Sequence, residues 1–194
     1  MRRSLTAVAA AIAGLMLVAP GVRAQETSAS FFSAMFQSAP AGDRPLASAI
    51  PREVVSFSSR YAPGTILIST SERRLYFVMS NGQAIRYGVG VGRPGFEWSG
   101  TKIVSQKREW PSWTPPAQML KRRPDLPRHM KGGLDNPLGA RAMYLGSSLY
   151  RIHGSNEPNT IGQAVSSGCI RMTNEDVEDL YERVRVGTRV VVIR

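Results

Sequence analysis

The sequence predicts a mainly β domain with one late α-helix and one long lid loop. Three observations carry this. From Gly64 onward, short apolar and β-branched runs alternate with turn residues, a single segment has helical spacing with both start and stop signals, and a proline-rich stretch between them has no period. Strands are expected over 65–70 and 73–79, then over 83–91 after Asn81 and Gly82. Asn-Gly between two such runs is the strongest short-range hairpin signal, because both residues tolerate the positive φ that a tight turn demands. Further strands are expected over 102–107, 142–145, 149–153 and 188–193. The helix begins at Thr173, an N-cap residue with Asp176 three positions on. It continues through Val177, Leu180, Tyr181 and Val184 at helical spacing and stops at Gly187. Between the strands, residues 108–141 hold Trp110, Trp113, six prolines and the pair Gly132 and Gly133. Loops of this length inside a domain are usually lids or binding loops.

The N-terminus reads as an export signal over residues 1–24. Arg2 and Arg3 precede an uncharged apolar stretch over 5–19, followed by Pro20, Gly21 and the small-residue pattern ending at Ala24. The stretch is short for a membrane span, which needs about 20 residues, so no stable span is expected after cleavage. Residues 25–55 read as a flexible Ser, Ala and Pro-rich spacer, interrupted by the cluster Phe31, Phe32, Met35 and Phe36. Residues 56–194 then form the folded domain.

Charge and cysteine usage narrow the chemistry. The chain has 25 Lys and Arg against 14 Asp and Glu, a net charge of +11. The signal segment carries three of the arginines and no acid, and residues 101–131 hold eight Lys or Arg against two acids. An exported basic protein meets an anionic envelope polymer rather than chromosomal DNA, so no nucleic-acid partner is expected. One cysteine and two histidines exclude an internal disulfide and a zinc site built mainly from these residues. No metal and no cofactor is expected.

Cys169 stands in the run Ser166, Ser167, Gly168, Cys169, Ile170, Arg171, after an expected strand ending at Ile152, His153 and Gly154. A lone cysteine is either an inert buried thiol or a reactive one. Turn amides near Gly168, the charge of Arg171 and an imidazole at His153 favour reactivity, since a neighbouring base activates a thiol near neutral pH. Other candidates carry less. His129 lies in a basic, Pro-rich loop and reads as a solvated side chain. Gly88 to Gly92 lack the spacing of a dinucleotide fingerprint and the lysine of a P-loop. Glu157, four residues after His153, has no third ligand for a metal.

The stretch over 152–172, IHGSNEPNTIGQAVSSGCIRM, resembles the catalytic signature of the L,D-transpeptidase (YkuD) family: a His-Gly pair, then Ser-X-Gly-Cys-X-Arg. The hairpin, the run GVGVGRPG, WPSWTPP and NPLGARAMYLG resemble further landmarks, so the likeness spans nearly all of 60–194. The resemblance implies a YkuD-like β-sandwich or barrel in which Cys169 is the nucleophile and His153 the base and later the acid. It places the oxyanion hole at the Gly168 and Cys169 amides. It also sets Gly154, Ser166 and Ser167 among the substrate-binding residues, and makes Arg171 a holder of the site or of a substrate carboxylate. Ser167 stands where many members have His, and Trp110 and Trp113 are expected to stack on substrate. The implied substrate is a peptidoglycan tetrapeptide stem, processed in the periplasm through a cysteine thioester. The acyl group then goes to a neighbouring stem as a 3-3 crosslink, or to an outer-membrane protein or lipoprotein. An L,D-carboxypeptidase using the same site and a noncatalytic peptidoglycan-binding module remain alternatives. A papain-like peptidase would place Cys before His, and a sortase would need a longer interval between them.

Overall fold

Residues 50–58 and 60–194 are described by a computed structural model, so the expected signal segment and most of the expected spacer lie outside the described residues. The Asn-Gly turn forms as its residues demand. Asn81 and Gly82 have φ of 61° and 67°, and Met79 N–H donates to Gln83 O at 2.9 Å. The loop joins β3 (Arg74–Val78) to β4 (Gln83–Gly88), and β2 (Ile66–Ser69) pairs antiparallel on the far side of β3. Beyond β4, β1 (Glu53–Ser56) adds one more antiparallel strand, with Glu53 opposite Arg86. This strand starts ahead of the expected boundary at 56; its exposed, mixed residues lack the alternation that marks a half-buried strand.

The C-terminal strand β11 (Arg189–Ile193) inserts between β2, to which it runs parallel, and β6 (Gly100–Glu109), to which it runs antiparallel. Its three consecutive valines, Val190, Val191 and Val192, are all buried, as expected of a central strand covered on both faces. From β6 the sheet continues through β7 (Arg141–Leu145), β8 (Arg151–His153) and β10 (Ile170–Arg171), giving nine strands in the order β1, β4, β3, β2, β11, β6, β7, β8, β10. A separate pair joins β5 (Val91–Gly92) to β9 (Ala164–Ser166) in parallel. The fold is mainly β and curls around one core.

That core contains Ile66, Ile68, Leu75, Tyr87, Met143 and Ile152, and the late helix α2 (Asn174–Arg183) closes it with Val177 and Leu180, while Val184 at its C-cap packs there too. Thr173 caps α2 as expected, its Oγ1 accepting from Asp176 N–H at 3.2 Å. A second, shorter helix, α1 (Ala117–Arg122), breaks the stretch expected to be irregular. β6 also runs two residues past its expected end, to Glu109. Strands as short as β9 and β10 cannot display a period-2 pattern, which explains why only the folded chain reveals them. No helix of the described residues is long and apolar enough to cross a membrane.

Candidate active site

The parallel pairing of β8 with β10 sets Ile152 opposite Ile170 and His153 opposite Arg171. Two segments far apart in the chain therefore end side by side. Cys169 immediately precedes β10, at the end of a turn fastened from several directions. Ser166 Oγ donates to Cys169 O at 2.6 Å and accepts from Gly168 N–H at 3.0 Å. Trp98 Nε1 donates to Gly168 O at 2.7 Å, and Trp98 stacks on Tyr150 with ring centroids 4.6 Å apart. Gly168 has φ of 103°, and a Cβ there would lie 2.5 Å from Tyr150 Cε1, so the position requires glycine for both conformation and space. One expectation changes in detail. The Gly168 amide is engaged by Ser166, because a serine hydroxyl readily caps a backbone N–H two residues on.

His153 is buried, 4% exposed, with Nδ1 2.6 Å from Gly154 O. A carbonyl only accepts, so Nδ1 carries the proton and Nε2 keeps a lone pair for use as a base. Gly154 makes this turn feasible: a Cβ there would lie 2.3 Å from Asn174 Oδ1, which itself accepts from Ala140 N–H at 2.9 Å. Burial, followed by the charge of Arg171, lowers the His153 pKa to about 3. Burial also pushes the half-buried Cys169 thiol up, and Arg151 draws it partly back. The resting pair is therefore a neutral thiol and a neutral imidazole.

Arg151 was not among the residues that the sequence singled out. Cys169 Sγ donates to Leu149 O at 3.7 Å, and Arg151 Nη1 donates to the same oxygen at 3.1 Å, so guanidinium and sulfur share one acceptor. A signal existed. Arg151 and His153 are two apart on one strand and so lie on the same face. Arg171, expected to hold the site or a substrate carboxylate, is ion-paired with Glu157 at 2.8 Å. Ser167 Oγ accepts from Arg93 Nη1 at 3.2 Å.

Cys169, His153, Ser166, Ser167 and Arg171 all line one cleft of about 620 Å³. The segment over 108–141 contributes Trp113, Met119, Leu126 and Met130 to its lining. Trp113 and Met130 exchange backbone hydrogen bonds, each 2.8 Å, closing a loop that carries α1. Asn136, 1% exposed, fastens the base, with Nδ2 donating to Pro111 O at 3.1 Å and Lys131 O at 2.9 Å and Oδ1 accepting from Leu138 N–H at 2.9 Å. The two lid tryptophans part company. Trp110 is 42% exposed and does not line the cleft, because its backbone is held where β6 ends, its N–H donating to Ala140 O at 2.7 Å. Gly154 and Gly168 likewise shape the site from behind rather than facing it. His129 is exposed, beside Thr114 Oγ1 at 3.2 Å, and is absent from the cleft.

Comparisons with known proteins show the family. The family model of the YkuD L,D-transpeptidase catalytic domain matches residues 63–192. The probable L,D-transpeptidase ErfK/SrfK of Escherichia coli (strain K12) is 39% identical over 137 residues, which are 66% of this chain and 43% of that protein. The chain thus spans less than half the length of that curated relative. Among solved structures, one from Brucella melitensis, described as a probable carnitine operon oxidoreductase, is 46% identical with a TM-score of 0.51, covering 76% of this chain and 96% of that one. L,D-transpeptidase 3 from Mycobacterium tuberculosis, 18% identical, shares the fold with a TM-score of 0.55, covering 67% and 60% of the two chains.

Proposed function

The chain belongs to the YkuD family of L,D-transpeptidase catalytic domains, and on that premise we propose that it transfers peptidoglycan stem peptides through a thioester on Cys169. The observation that supports the proposal is that the Cys169 thiol and an imidazole whose Nδ1 proton is committed to Gly154 O line the same cleft, which leaves Nε2 as an acceptor. In the first step, His153 Nε2 takes the thiol proton as sulfur attacks the carbonyl after the third residue of a tetrapeptide stem. The C–N bond then breaks, His153 returns the proton to the departing D-alanine amine, and the acyl group remains on sulfur. In the second step an acceptor amine attacks the thioester, His153 takes its proton, and the thiol is restored.

Splitting one hard displacement into two easier ones is the gain of a covalent intermediate. The neutral resting pair supports a thiolate formed only as substrate arrives and water leaves, with the Arg151 charge at hand to stabilise it. The Cys169 amide and, once released from Ser166, the Gly168 amide would stabilise the oxyanion. An amine on a neighbouring stem gives a 3-3 crosslink, one on an outer-membrane protein or lipoprotein gives a wall anchor, and water gives the carboxypeptidase outcome. Export by the segment 1–24 would set the site in the periplasm, where these stems are found.

Intact-mass measurement after incubation with a tetrapeptide stem tests the reading. An acyl adduct is expected on the native chain and none on Cys169→Ala. A noncatalytic binding module would instead show stem binding with no adduct on either protein.

A further inference from the structure

Three arginines of the cleft, Arg93, Arg122 and Arg151, have no ion-pair partner among the described residues; Arg151 lies beside the Cys169 thiol, and the other two share the ring of Phe96. Arg93 lies just after β5, its N–H donating to Ser166 O at 3.0 Å and its carbonyl accepting from Phe96 N–H at 2.9 Å, so its backbone is tied to the turn that bears Cys169. Gly92 permits this tight return, since a Cβ there would lie 2.5 Å from Phe96 O. The Arg93 guanidinium sits 4.1 Å from the centroid of the Phe96 ring, and that of Arg122, from α1 in the lid, sits 5.6 Å from the same centroid. Both arginines line the cleft. Among the described residues neither has an ion-pair partner, whereas Arg171 and Arg123 in the same cleft do, with Glu157 and Asp125. Among the described residues, the Arg93 side chain donates to the neutral Ser167 hydroxyl and to no acid.

A partly buried guanidinium that shares an aromatic ring with a second one, neither of them ion-paired among the described residues, is an unfavourable arrangement for the empty protein and a favourable one for a bound anion. The planar fork of arginine suits a carboxylate, and the aromatic ring holds it in one orientation. Because Arg93 contacts Ser167, two residues before the nucleophile, an anion bound there lies close to the attacked carbonyl. We infer that Arg93, with Arg122 as its partner from the lid, forms a carboxylate-binding subsite. It reads a free carboxylate within one residue of the scissile bond of the donor stem. This rests on the transpeptidase reading for the identity of the donor, and it assigns a specificity role to the position where the cleft carries Ser167 in place of a second imidazole.

Binding and turnover separate the two ideas. Calorimetry on the full chain carrying Cys169→Ala would use three tetrapeptide stems: the free acid, one amidated at the C-terminal carboxylate, and one amidated at the third-residue side chain. One amidated stem is expected to bind about 10- to 100-fold more weakly than the free acid, and the arm that loses affinity identifies which carboxylate is read. Adding Arg93→Gln should cost the free acid the same factor and that amidated stem nothing, while Arg93→Lys recovers part of the loss. Arg122→Gln, on an exposed helix where folding is not at stake, should cost the free acid several-fold. Equal losses for all three stems, or no loss with either arginine variant, overturn the subsite. Turnover of the free-acid stem by the native chain is measured in parallel. Stem binding that depends on Arg93 without any turnover would leave the subsite standing and remove the transpeptidase reading.

Discussion

The Ser166 to Cys169 turn and the lid over 108–141 face the same cleft but are secured differently. The turn is gripped along its length by Ser166, Trp98 and Tyr150 and lies between two strand pairings. The lid is tied at its base by Asn136 and at its neck by the Trp113 and Met130 bridge, and its charged face is exposed to solvent. The contrast is one of rigidity: the turn is held by strand register as well as side chains, whereas the segment over 108–141 has only a few fasteners.

Acid should act on the turn side first. The folded pKa of His153 is about 3, below the ordinary 6.5, so between these values the unfolded chain binds a proton that the folded chain refuses. Stability is then full above about pH 6.5 and falls as the pH drops toward 3, by at most about 1.4 kcal/mol per pH unit from this group. Melting measured across that window in native protein and in His153→Gln checks this, and an identical slope in both would remove His153 as the cause. Next in size is Gly168→Ala. With φ of 103° and Tyr150 Cε1 at 2.5 Å from the new Cβ, acyl-enzyme formation should fall by about 100-fold, while stem affinity changes less.

Asn136→Ala probes the lid. Losing its base hydrogen bonds should cost about 1–3 kcal/mol of local stability and speed proteolysis at Lys121, Arg122 and Arg123, while leaving the rate of Cys169 alkylation unchanged. If alkylation changed in step with proteolysis, the two regions would not be independent. The smallest effect separates the tryptophans. Trp113→Ala should raise KM several-fold by removing part of the cleft wall, while Trp110→Ala stays within about twofold.

Much of this molecule is local information. The hairpin was legible because Asn81 and Gly82 adopt the positive φ that their side chains allow, and α2 because Thr173 and its apolar spacing act within a few residues. The motif around Cys169 and the His153-Gly154 pair were legible for the same reason. What remained hidden was short or distant. β9 and β10 have too few residues to show a period, and α1 is a six-residue helix with no side-chain cap and no acid in its first turn. The choice between Trp110 and Trp113 depended on where β6 ends, which pairing with β7 decides.

By itself, then, the sequence determined the class of fold, the family likeness, the single thiol and the excess of basic charge. Only the tertiary structure decided which cations surround that thiol. Arg93 arrives through the β5 and β9 pairing, Arg151 through the β8 and β10 register, and Arg171 is already occupied by Glu157. The physical reason is range: turns and caps are settled by neighbours a few residues away, whereas the electrostatics of a cleft are the sum of charges that chain folding alone brings together.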